Sequence, residues 1–206
     1  MPTGVAMPDA RGQLFSAAER ILLRDGPSAL TSRAVTAEAG CAKGVLHRHF
    51  ADFDAFLAGL VLDRAARVGR QAAALRAAAG TGTVTGNLAA ALATLFDAVA
   101  VAVVSLIIFR DDLRARLRAA QPGGVPVLRE AVAMVSGYLA AERDLGRVAA
   151  EADVATLALT LIGAGHLLFA GREGAPPDDA AVRAVVRTVI AGVLPAPASP
   201  AGRAAG

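Results

Sequence analysis

Tryptophan is absent from this chain, and cysteine, tyrosine and histidine are scarce: one, one and three in 206 residues. A single cysteine excludes an intramolecular disulfide and suits a reducing cytoplasm. Cys41, His47 and His49 are the nearest thing to a metal set, but histidines two residues apart point to different sides of a helix. Cys41 therefore reads as a core or turn cysteine, with a thiol sensor as the alternative, because oxidation there would disturb the turn. No metal and no cofactor is expected. Paired carboxylates and a Ser/His/Asp constellation are also missing, so the chain does not read as an enzyme. A basic segment followed by an apolar one is absent near Met1, which argues against a signal peptide and for a cytoplasmic protein. The glycine-rich run from Gly80 to Gly86 follows no strand and lacks a Gly-Lys-Ser/Thr end, so it reads as a connector and not a phosphate loop.

What is present favours helix. Hydrophobic residues make up 55% of the chain, and alanine, leucine and arginine, all good helix formers, are abundant. Strand-like alternation is confined to short runs, so the class is all-α. The length suits one large or two small domains with a buried core. The formal net charge is only +3, too modest by itself to argue for nucleic acid. Its distribution says more. Between Arg11 and Phe50 the cations are Arg11, Arg20, Arg24, Arg33, Lys43 and Arg48, against Glu19, Asp25 and Glu38. Two apolar stretches raise a membrane span as an alternative, Leu88 to Phe109 and Val154 to Ala170. The first carries Asp97 near its middle, which is costly in lipid, so both read as buried helices of a core.

The most informative stretch is Thr31 to Phe50, TSRAVTAEAGCAKGVLHRHF. Thr31 is a good N-cap, and Val35 and Ala39, four apart, share a face. Gly40 stops the first helix by entering the left-handed conformation. A second helix from about Ala42 turns Val45 and Leu46 inward and keeps Lys43, Gly44, His47 and Arg48 outward. This is the layout of a helix-turn-helix. Its spacing resembles that of the TetR family of bacterial repressors, with matches at Thr31, Ala39, Gly40, Gly44 and Phe50 and common family choices at Lys43 and Leu46. Cys41 and Ala42 replace the usual valine and serine, Val45 a frequent threonine, and His47 and His49 two tyrosines. Phe53 stands where the next helix often offers a lysine. The resemblance implies that the second helix lies in the DNA major groove. The candidate DNA contacts are then Thr31, Ser32 and Arg33 at the start of the first helix, with Ala42, Lys43, Gly44, His47, Arg48 and His49 on the second.

Along the chain, Met1–Pro8 reads as a disordered arm and 195–206 as a disordered tail. Asp9 caps a helix to about Arg24, which Asp25-Gly26-Pro27 ends. After the helix-turn-helix, a long helix runs from Phe53 to about Ala79. Further helices are expected over Asn87–Val104, Ser105–Ala120, Val127–Arg143, Glu151–Gly171 and Asp178–Val193. The total is about nine, divided into a DNA-binding domain over 9–52 and a larger helical domain over 53–194 for effector binding and dimerisation. That count and division also resemble the TetR family.

For the larger domain the resemblance implies a ligand cavity and a dimer face. The cavity candidates are the apolar Leu92, Phe96, Val99, Val103, Met134 and Tyr138, with Asp97 and His166 as polar handles. His166 on an apolar helix also reads as a core histidine. A lining this aliphatic favours a hydrophobic ligand. The dimer face would pair the last two helices with their copies, through Val154, Leu157, Leu161 and Leu168 on one and Val182, Val185, Val186 and Val189 on the other. The expected partners are double-stranded DNA with an inverted-repeat operator, a second copy and a small hydrophobic effector, with no membrane. The expected function is a homodimeric repressor released by its ligand. The alternatives are the same regulator without an effector, and a helical enzyme or membrane-associated protein.

Overall fold

Capping residues decide where the helices begin. In a computed structural model that describes residues 9–170 and 175–195, Asp9 accepts from the amide of Gly12, Thr31 from Ala34, Asp52 from Ala55, Asp97 from Ala100, Asp153 from Thr156 and Asp178 from Ala181. Each satisfies an amide that a helix start leaves without an intrahelical partner. The described residues form ten α-helices: α1 (Ala10–Asp25), α2 (Ser32–Glu38), α3 (Gly44–His49), α4 (Phe53–Ala77), α5 (Val84–Leu95), α6 (Ala98–Ile108), α7 (Asp111–Ala120), α8 (Pro126–Asp144), α9 (Val154–Ala170) and α10 (Asp179–Ile190). Short 3-10 turns follow α1 and α10. The all-α class is as expected. The expected arm over 1–8 and almost all of the expected tail lie outside the described residues.

The helix count exceeds nine because the expected Asn87–Val104 helix is two. It breaks before Asp97, whose side chain caps α6. The first of the pair starts earlier than expected, within the glycine-rich run, where Thr83 accepts from the Gly86 amide. Asn87 is therefore not a cap. Its amide group donates to the Ala78 and Thr81 carbonyls and to the Tyr138 hydroxyl. No single helix among the described residues is long and apolar enough to cross a membrane.

The chain forms two compact units. Among the described residues one contains 9–70 and 94–131, the other 71–93, 132–170 and 175–195. In the first, α1 packs on α2, α3 and α6, and α6 packs on α7. Its aromatic centre is Phe15, Phe50, Phe53 and Phe56, with neighbouring ring centroids 5.2 to 5.7 Å apart, the tilted and offset spacing that aromatic pairs prefer. Gly59 of α4 lets these rings approach, since a Cβ there would stand 3.0 Å from Phe50 and 3.2 Å from Phe15. In the second unit, α9 packs on α10, and the final 3-10 turn is held by the Ala149 amide on the Val193 carbonyl.

Candidate nucleic-acid interface

The turn between α2 and α3 closes as its sequence predicts. Gly40 takes φ +64°, its amide donates to the Ala37 carbonyl, and the Cys41 amide donates to Thr36. This pair of bonds is a Schellman motif, and it needs a residue without a Cβ penalty at Gly40. The buried Thr36 hydroxyl donates back to the Ser32 and Arg33 carbonyls. Leu46 and Phe50 anchor α3 in the core. Everything else on α3 except the half-buried Val45 is exposed: Gly44, His47, Arg48 and His49, continuing the exposed Ala42 and Lys43. Thr31 and Arg33 are exposed as well, and Ser32 is half-buried. The nine residues expected to face DNA thus flank one turn of a helix-turn-helix.

Electrostatics separates the cations of this region into two groups. Arg20 and Arg24 of α1 both bridge to Glu38 of α2, at 2.7 and 3.0 Å. Those two arginines, Arg20 first, hold the Glu38 carboxyl below the usual carboxylate range. Arg11 lies over the Phe50 ring, 4.5 Å from its centroid, a cation–π contact. The α4 cap is tied to α7, with Asp52 facing Arg116 at 2.9 Å and Asp54 facing Arg110 at 3.9 Å. Among the described residues, Arg33, Lys43 and Arg48 have no acidic partner. They are the cations left to meet an anion from outside. Burial pushes the Cys41 thiol up, so it stays protonated near neutrality.

A sequence model described as "Bacterial regulatory proteins, tetR family" matches residues 14–59, the span from α1 to the first turns of α4. The reading head is a TetR-family domain. By this match residues 14–59 form a DNA-binding domain of the TetR type. Solved TetR-type structures share the whole fold. The fatty acid degradation regulator FadR from Bacillus halodurans aligns with TM-score 0.69 at 15% identity, over 91% of this chain and 98% of that one. FadR from Bacillus subtilis, in complex with stearoyl-CoA, aligns with TM-score 0.66 at 16% identity, over 88% and 98%. SmeT, the repressor of a multidrug efflux pump of Stenotrophomonas maltophilia, aligns with TM-score 0.61 at 17% identity, over 90% and 91%. No curated protein sequence matches the chain.

The residues expected around a ligand fall into different settings. Leu92, Phe96, Val103, Met134 and Tyr138 are buried, Val99 and His166 are half-buried, and Asp97 is exposed. Asp97 is not an isolated polar handle. It caps α6 and pairs with Arg64, which is itself buried on α4. Tyr138 belongs to a polar network that the sequence reading missed. It accepts from Asn87 and donates to Glu142, a fully buried carboxylate. Glu142 also accepts from the Gly80 amide and faces Arg147, each at 3.3 Å. Burial, then the bond to Glu142, pushes the Tyr138 hydroxyl well above the usual phenol range, so it remains a donor. The available signal was Tyr138 and Glu142 four apart on one helix face.

The expected dimer residues also divide. Leu161, Val182 and Val186 are turned into the chain's own core, and Val154, Leu157, Leu168, Val185 and Val189 are half-buried. Core-facing positions are not surface, because the same apolar spacing that builds an interface also packs α9 on α10. The large outward apolar side chains of α9 are Leu159 and Leu167, 64% and 75% exposed. With Thr156, Thr160 and Gly163 they recur three and four apart along one exposed stripe.

Proposed function

We propose that this chain is a TetR-family regulator, a cytoplasmic homodimeric repressor that binds an inverted-repeat operator and is released by a small hydrophobic ligand. The observation that carries the reading is the exposed strip on and before α3, with Arg33, Lys43 and Arg48 left without acidic partners among the described residues. Lys43 and Arg48 are long cationic donors suited to phosphate or a guanine edge, and Gly44 between them lets the helix backbone approach the groove. Thr31, Ser32 and Arg33 present the start of α2, with Ala42 and the two histidines completing the surface. In this reading 9–52 is the reading head and 53–194 the effector and dimer part. The outward stripe of α9, with the half-buried Val185 and Val189 of α10, meets its copy. A two-fold dimer spaces two α3 helices about one DNA turn apart. Helix α4, which follows the reading head directly, serves as the lever.

Selection from a random DNA pool at two salt concentrations tests the DNA side. One inverted repeat should be enriched. Lys43→Ala and Arg48→Ala should each lose about 1–3 kcal/mol on it if they touch bases. Equal binding by the double variant and the wild type would remove both from the site.

The FadR neighbour bound to stearoyl-CoA makes long-chain acyl-CoA the first effector class to screen. The readout is release of labelled operator together with a shift in melting temperature. A second reading, the same regulator without an effector, draws on the burial of Leu92, Phe96, Val103, Met134 and Tyr138, each at most 3% exposed. It predicts neither release nor a thermal shift with any hydrophobic probe.

A further inference from the structure

Helix α3 exposes three consecutive side chains, His47, Arg48 and His49. Successive helix positions lie about 100° apart, so the three fan over about 200° of surface. Arg48 shares its line with Gly44, which offers no side chain, and His47 shares its line with Lys43. His49 points to the opposite flank. A helix laid in the major groove turns its centre to base edges and its two flanks to the two phosphate backbones. We infer that His47 and His49 grip those backbones as imidazolium cations, so that DNA binding takes up protons and strengthens as the pH falls from about 8 to about 6. The inference rests on the DNA-reading role of α3.

The charges around α3 favour it. On α3 and its cap the charged groups are Lys43 and Arg48, both cationic. Helix α2 brings Arg33 and Glu38, and Glu38 is bridged to Arg20 and Arg24 of α1. Helix α1 also brings Arg11, lying over Phe50, and the acids Glu19 and Asp25, which face Arg67 and Arg24. The chain leaving α3 brings Asp52, which faces Arg116 of α7, and Asp54 of α4, which faces Arg110 just before α7. Each of these carboxylates already faces an arginine, and among the described residues none bridges to either histidine. A proton gained by an imidazole here therefore has no counter-charge within the reading head, and a DNA phosphate supplies one. The sign follows from linkage. DNA favours the protonated form, so the complex holds more protons than the free protein and its affinity rises with acidity. Neighbouring groups stay fixed over this interval. Glu38 and Asp52 are held below the usual carboxylate range, and the Cys41 thiol is raised by burial.

The test is operator affinity of the full chain at pH 6 and pH 8, each at two salt concentrations. The proteins are wild type, His47→Tyr, His49→Tyr and the double variant. Tyrosine donates to phosphate without gaining charge in this range. The wild type should bind on the order of tenfold tighter at pH 6, and its dependence of log K on log salt should steepen by about 0.9 for each protonated histidine. The double variant should bind with a flat pH response, each single variant keeping part of the gain. Melting curves at both pH values check that every variant is folded. A flat wild-type response overturns the inference, as does a double variant that keeps the wild-type response. Failure of the wild type to bind any duplex at either pH would instead remove the DNA-reading role, and the inference with it.

Discussion

At the scale of single residues, the strongest constraint in the second unit is Glu142. A fully buried carboxylate persists only when paired and hydrogen-bonded, and Tyr138, the Gly80 amide and Arg147 supply those partners. Glu142→Ala would leave the Tyr138 hydroxyl and the Gly80 amide without this acceptor, and Arg147 with only the Gly82 carbonyl. It should cost about 3–5 kcal/mol of stability by denaturant titration, the usual range for breaking a buried pair. Glu142→Gln should retain much of that, because it still accepts from Tyr138. Asn87 and Tyr138 could be named from the sequence but not joined, since they lie far apart in the chain. Asp97 was legible as an unusual charge in an apolar run. Its partner Arg64 was not, because the bridge exists only once α4 and α6 are packed.

At the scale of elements, α2 is short and depends on α1. Glu38 with Arg20 and Arg24 forms the clamp between them. The folded state holds the Glu38 carboxyl below its ordinary value, so the clamp stabilises the fold above the ordinary carboxylate range. Its contribution is lost as the pH falls through the lower, folded value. Wild type should therefore melt higher than Glu38→Gln at pH 7, and the two should converge as the pH is lowered past about 4. A constant difference down to pH 2 would mean that Glu38 acts by packing alone. The helix-turn-helix was the most legible element, because Thr31, Gly40 and the inward Leu46 and Phe50 act through local geometry. The 84–108 region was the least legible. Both sides of the break are alanine-rich and apolar, so hydrophobic spacing continues across it. Only the capping bond of Asp97 marks the new start.

At the scale of the whole molecule, the proposed dimer has an exposed apolar stripe to account for. Leu159 and Leu167 stand largely in solvent on the same helix, where large apolar side chains in a row usually await a partner. A charge there should be tolerated by the chain's own fold and refused by the interface. Leu159→Glu combined with Leu167→Glu is expected to convert a dimer to a monomer in analytical ultracentrifugation. It should also weaken operator binding at least tenfold, because two half-sites are then engaged independently. A double variant that sediments and binds as the wild type would place the dimer contact elsewhere.

Helix class, the reading head, its turn and its outward cations follow from the order of residues alone, because caps, glycine conformations and three-four spacing are local rules. Which apolar face of α9 and α10 is core and which is surface does not follow, since both faces carry apolar residues at helical spacing. Packing decides it, by turning Leu161, Val182 and Val186 inward and leaving Leu159 and Leu167 outside. The pairing of Arg64 with Asp97, and of Glu142 with Tyr138, Asn87 and Arg147, is likewise a tertiary outcome. A charge finds its partner across a fold according to distance and burial, and neither is written in the spacing of the chain.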